Sequence, residues 1–157
     1  MGLLGAGVLI GIGGTVAMDI WALILNKAFG QPLPNWGNVG RWTGHLPRGV
    51  VFHDDIGVVE PVVAETAIGW ALHYGVGILY GVIFVMFMGM GWVSAPTFLP
   101  VWIFGIITIA AGWFLLHPGM GLGWALSKTD DPWRGRMMGL VAHTVFALGM
   151  YVTALLI

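Results

Sequence analysis

Residues 62–90 read VVAETAIGWALHYGVGILYGVIFVMFMGM, and after Glu65 no Asp, Glu, Lys or Arg interrupts them. At 1.5 Å of rise per helical residue, such a run crosses a hydrocarbon core about 30 Å thick. Three other windows have the same character, near residues 3–26, 97–116 and 134–156. None alternates with a period of two, and no series of ten-residue segments of the barrel kind occurs, so strands are excluded. The sequence predicts an all-α polytopic membrane protein with four transmembrane helices.

The composition agrees. With 58% hydrophobic and 8% charged residues, a soluble domain of this size could not cover its surface with polar groups. One transmembrane domain over residues 1–157 is expected, with interfacial segments at 27–61 and 117–133. The first window has no basic residue ahead of it and carries Asp19 inside, so it reads as a retained helix and not a secretory signal. The chain has no cysteine, which rules out disulfides, thiolate metal sites and covalent haem attachment.

The six basic residues fall in two groups, Lys27, Arg41 and Arg48 in one and Lys128, Arg134 and Arg136 in the other. Four spans put both groups on one side, and the excess of Lys and Arg assigns that side to the cytoplasm, with both termini outside. In the first of these segments Pro32, Pro34 and Pro47 break regular helix, leaving room for an interfacial helix from about Asn35 to Thr43. Trp36 and Trp42 are placed in the headgroup layer there, with Arg41 and Arg48 on anionic lipid. His53, Asp54 and Asp55 follow and read as a solvated turn, with a surface ligand set for a cation as the alternative.

Small residues recur at i+4: Gly7, Gly11 and Thr15 ahead of Asp19, Gly69, Gly77 and Gly81 around His73, and Gly139 and Ala147 around His143. Such rows let membrane helices approach closely. Glu60-Pro61 and Asp131-Pro132 read as helix starts, an acidic residue followed by Pro at the first helical position. Aligned on their histidines, the second and fourth windows suggest a repeat of two helical hairpins in parallel, with His73 and His143 at similar depth.

Ionisable side chains inside lipid are costly, roughly 2–3 kcal/mol by insertion scales, and call for a partner or a role. Asp19, Glu65, His73, His117 and His143 form the candidate ion- or solute-binding set, a polar funnel in the cytoplasmic half. Three chemistries suit it. Carboxylates and imidazoles in series suit proton or cation permeation. Two imidazoles on facing helices, His73 and His143, suit a b-type haem and electron transfer. Mixed His, Asp and Glu suit a divalent cation. A structural subunit of a membrane complex is the further alternative, and either a homo-oligomer or a membrane-complex partner is expected. No catalytic constellation stands out, and the absence of a phosphate-binding loop or dense basic patch excludes nucleic-acid partners.

Gly14-Thr15, Met18-Asp19, the stretches Gln31-Pro32 to Trp36 and Trp42 to Pro47, Glu65, Gly69-Trp70 and His73-Tyr74 together resemble the uncharacterised bacterial membrane proteins grouped as DUF2938. The resemblance covers nearly the whole length. It implies four spans in a bacterial inner membrane and carries over no activity and no site residue.

Overall fold

The structure is a computed structural model that describes residues 2–157. Among these residues the only regular elements are helices. Four are long and apolar enough to cross a membrane: α1 (Leu3–Phe29), α3 (Glu65–Ser94), α4 (Phe98–Gly119) and α5 (Pro132–Leu156). Between α1 and α3 lies the short α2 (Trp36–His45). Single helical turns follow at Leu46–Arg48, Ile56–Val58 and Trp124–Leu126.

Local chemistry sets the ends. Gly30 closes α1 in the left-handed region, φ 64°, its N–H donating to the Asn26 carbonyl and the following Gln31 N–H to that of Leu25, while Lys27 sits at the negative end of the helix dipole. The Asn35 carboxamide oxygen caps α2 by accepting from the Asn38 N–H at 3.1 Å. Asp131 caps α5 in the same way, accepting from the Arg134 N–H at 3.0 Å, with Pro132 as the first helical residue. Glu60-Pro61 does not start α3, contrary to the expectation. The chain stays irregular to Ala64, whose φ is 59°, and the helix opens at Glu65. His73 is therefore eight residues into its helix and His143 eleven into its own.

Two helices depart from regularity. Gly89 in α3 has φ 74° and ψ 173°, a conformation that bends the helix and that glycine adopts without steric cost. In α4 residues Gly112–Leu116 form a π-helical turn, and the His117 N–H reaches back to the Gly112 carbonyl. Pro118 follows at once; its ring needs room and it lacks an N–H, so the widened turn ahead of it relieves both constraints.

Contacts divide the chain into two compact units. The first takes in the residues up to Leu33, Tyr74–Thr108 and Leu140–Ile157; the second takes in Pro34–His73 and Ile109–Gly139. In the first unit α1 meets α3 through glycine. A Cβ at Gly11 would collide with the Gly77 carbonyl and the Ile78 Cα, and one at Gly81 with the backbone of Gly7 and Gly11. Gly149 on α5 lies as close to Gly13 and Gly14. Ile10, Val85, Ala147 and Met150 fill the core beside these crossings, all fully buried. The glycine rows expected from the sequence are thus where helices touch.

In the second unit the core is Val39, Trp42, Ile56 and Met120. Trp42, expected in the headgroup layer, is 4% exposed and donates its indole N–H to the Val51 carbonyl at 2.8 Å. Arg41, also expected on lipid, is turned inward onto Glu65. The polar backbone of this folded loop needs internal donors, and Arg41 and Trp42 supply them. Arg48 is exposed and Trp36 half-buried.

Replacing Gly81 by Val forces a side chain into the backbone of α1 and is expected to destabilise the protein by about 1–3 kcal/mol. Gly75→Ala, where an added Cβ meets nothing within 4 Å, is the neutral control. Thermal unfolding in detergent, read by circular dichroism, checks both.

Candidate functional site

The first unit holds two polar groups within its apolar spans. Asp19 lies ten residues inside the C-terminal end of α1, about 15 Å along the axis, and Tyr74 nine residues inside the start of α3, about 14 Å. Their side chains meet: the Tyr74 hydroxyl donates to Asp19 Oδ2 at 2.8 Å. An O–H donor of this kind stabilises a carboxylate in a medium with no water to do so. The same unit contains His143. Its Nδ1 lies 2.9 Å from the Gly105 carbonyl and 3.1 Å from Thr108 Oγ1. The Thr108 hydroxyl gives its hydrogen to the same carbonyl at 2.6 Å, so both oxygens face Nδ1 as acceptors. Nδ1 therefore carries the hydrogen and Nε2 the lone pair.

Glu65 belongs to the second unit. Arg41 Nε donates to its Oε2 at 2.8 Å and Nη2 to its Oε1 at 2.9 Å, a two-pronged pair. Arg41 Nη1 is shared among the carbonyls of Ile56 at 3.1 Å, Gly57 at 3.3 Å and Val59 at 2.9 Å. The hydrogen bond to Glu65, opposed by burial, lifts the guanidinium above its already high range. One cation thus ties α2, the turn at Ile56–Val58 and the start of α3 together. Close packing accompanies it, since a Cβ at Gly40 would collide with the Glu65 carbonyl and one at Gly69 with that of Trp36.

His73 also lies in the second unit, its ring stacked on Trp36 with centroids 4.1 Å apart and planes at 29°. His117 sits where the π turn of α4 ends, its carbonyl accepting from the N–H groups of Met120 and Leu122. The five expected residues are therefore distributed: Asp19 and His143 in the first unit, Glu65, His73 and His117 in the second. Among the described residues no group of three or more His, Asp or Glu is arranged to hold a metal ion.

Sequence reasoning missed His45. His53 Nδ1 lies 3.0 Å from the Gly119 carbonyl and so donates to it, leaving Nε2 as an acceptor. His45 Nδ1, 3.0 Å from that Nε2, is then the donor, and the His45 Nε2 lone pair is left buried with no hydrogen-bond partner among the described residues. Nothing in the spacing of positions 45, 53 and 119 announces the chain. Tyr74 was missed as the Asp19 donor for a similar reason, being 55 residues away.

Residues 8–157 match the model of the family described as "Protein of unknown function (DUF2938)", and the chain belongs to that family. No curated protein and no solved structure matches.

Arg41→Lys replaces a planar fork by a single ammonium that cannot reach the carboxylate and three carbonyls at once. Faster cleavage within residues 49–64 is expected in limited proteolysis of the detergent-solubilised protein, with the helical content of α1 and α5 kept.

Proposed function

We propose that this DUF2938 protein is a small multi-pass inner-membrane protein that binds and passes protons, or a small cation, by way of polar groups set in its apolar spans. The observation that carries this reading is the Tyr74 hydroxyl on the Asp19 carboxylate, 2.8 Å apart, inside two helices otherwise built for lipid. A carboxylate so placed can exist as anion or acid. As anion it holds a cation or accepts a proton; as acid it is neutral and compatible with its surroundings. Tyr74 stabilises the first state by donating its hydroxyl hydrogen to the carboxylate.

His143 adds a second exchangeable position, because its Nδ1 is fixed by Gly105 and Thr108 and its Nε2 lone pair faces outward from that anchor. Glu65 is assigned a different role. Its charge is already matched by Arg41, so it serves to hold the loop. Four short helices enclose little volume, and a complete path calls for a second copy or another membrane subunit. The basic segments are placed on the cytoplasmic side and the termini outside.

Proteoliposomes with a trapped pH indicator test the reading. Wild-type protein is expected to dissipate an imposed pH gradient faster than empty vesicles. Asp19→Asn is expected to slow this by roughly tenfold or more, a barrier change of about 1.4 kcal/mol, and Tyr74→Phe by less. Vesicles that stay as tight as empty ones overturn the proposal and leave a structural subunit.

Orientation has its own test, made simple by the cysteine-free sequence. Val58→Cys, at an exposed position in the first basic segment, is expected to react with an impermeant thiol reagent only when the cytoplasmic face is open. Ser94→Cys, at the far end of α3, is expected to react in intact cells. The reverse pattern inverts the assignment.

A further inference from the structure

Residues Phe52, His53 and Asp54 and the turn from Pro118 to Lys128 enclose an open cleft of about 320 Å³ within the second unit. Its walls are fixed by backbone bonds. The Gly119 carbonyl accepts from the His53 N–H at 3.0 Å as well as from the His53 ring, and the Met120 carbonyl accepts from the Ile56 N–H at 3.2 Å. Gly121, with φ 88°, lies so close to Asp54 that a Cβ would collide with the Asp54 carbonyl oxygen. Beyond it Ala125 and Leu126 adopt the left-handed region at φ 46° and 65°, an uncommon conformation for side-chain-bearing residues. Arg136 Nε holds it by donating to the Ala125 carbonyl at 2.8 Å, and the Lys128 N–H by donating to the Leu122 carbonyl at 3.0 Å.

Two opposite charges line this preformed cleft. Among the described residues neither the Asp54 carboxylate nor the Lys128 ammonium makes a side-chain hydrogen bond or an ion pair, and they do not pair with each other. Beside them Trp124 and Phe52 are 62% and 64% exposed. A wall with one anion, one cation and two open aromatic faces is complementary to a molecule that itself carries both charges. The ammonium of such a molecule meets Asp54 and the aromatic faces, and its anionic group meets Lys128. The exposed Trp124 and Trp133, the latter 70% exposed in the first turn of α5, suit the headgroup layer, where the abundant molecule of this kind is a zwitterionic phospholipid. The volume lies at the small end of ligand cavities, which suits a headgroup alone.

We propose that the cleft between Asp54 and Lys128 binds an ammonium–phosphodiester zwitterion of the ethanolamine type. It is separate from the Asp19–Tyr74 pair and does not depend on proton passage. The same chemistry exists in a membrane lipid and in soluble glycerophosphoethanolamine, and the experiment separates the two.

Protein purified in mild detergent is mixed with equal amounts of phosphatidylethanolamine and phosphatidylglycerol, and retained lipid is counted by native mass spectrometry. The wild type is expected to retain the ethanolamine lipid about tenfold over the anionic one, equivalent to about 1.4 kcal/mol. In Asp54→Asn that preference is expected to reverse, because Lys128 remains without an opposing carboxylate; in Lys128→Met both lipids are lost. Both side chains are exposed and make no partner contacts, so unchanged melting temperatures are expected and exclude unfolding as the cause. Binding of glycerophosphoethanolamine by calorimetry without lipid retention supports the headgroup chemistry and assigns a soluble source. Equal retention of the two lipids by the wild type with no soluble binding, or variants that behave as wild type, overturns the proposal.

Discussion

Hydrocarbon offers no hydrogen bonds, and most features of this chain answer to that constraint. Each backbone N–H and C=O within a span needs a partner inside the protein, which only helix provides along 22–30 residues of sequence. Hydroxyls obey the same rule. Thr15, Thr144 and Thr153 each donate to the carbonyl four residues back, at 2.9, 2.9 and 2.8 Å. In the irregular stretch of α4 the His117 N–H still finds a carbonyl, that of Gly112, five residues back where a regular α-helix uses the one four back.

A second consequence concerns how the helices associate. Apolar side chains gain little by leaving lipid for one another, so close contact has to come from shape. Gly11, Gly77 and Gly81 let α1 and α3 meet backbone to backbone, and Gly149 brings α5 onto α1. Large residues then fill the space beside each crossing, which is why Ile10, Val85 and Met150 are fully buried in a protein that exposes many other apolar side chains.

Outside the spans the problem changes, because a loop of mixed polarity has no ladder to satisfy its backbone. Here single side chains stand in for secondary structure. Arg41 satisfies a carboxylate and three carbonyls, Trp42 reaches Val51, and His53 reaches Gly119. Arg41 and Trp42, which the sequence suggests for a lipid surface, are thereby consumed in holding the loop, while two charges outside any ion pair, Asp54 and Lys128, line one cleft.

The number of spans, their helical nature, the glycine-lined faces, the Asp131-Pro132 helix start and the family were all legible in the sequence, because each depends on neighbours within a few turns or on composition. Asp19 and Glu65 stood out as costly carboxylates for the same reason. What they bond to was not legible: Tyr74 lies 55 residues from Asp19, and Arg41 lies 24 from Glu65. That Arg41 and Trp42 bond within the loop was not legible either, because amphipathic residues serve equally well on a membrane surface and as internal donors, and only the fold of the loop chooses between them. The His45–His53–Gly119 chain and the cleft beside it exist only because α4 and its following turn return to the first loop. That is a matter of tertiary contact, and one-dimensional spacing carries no trace of it.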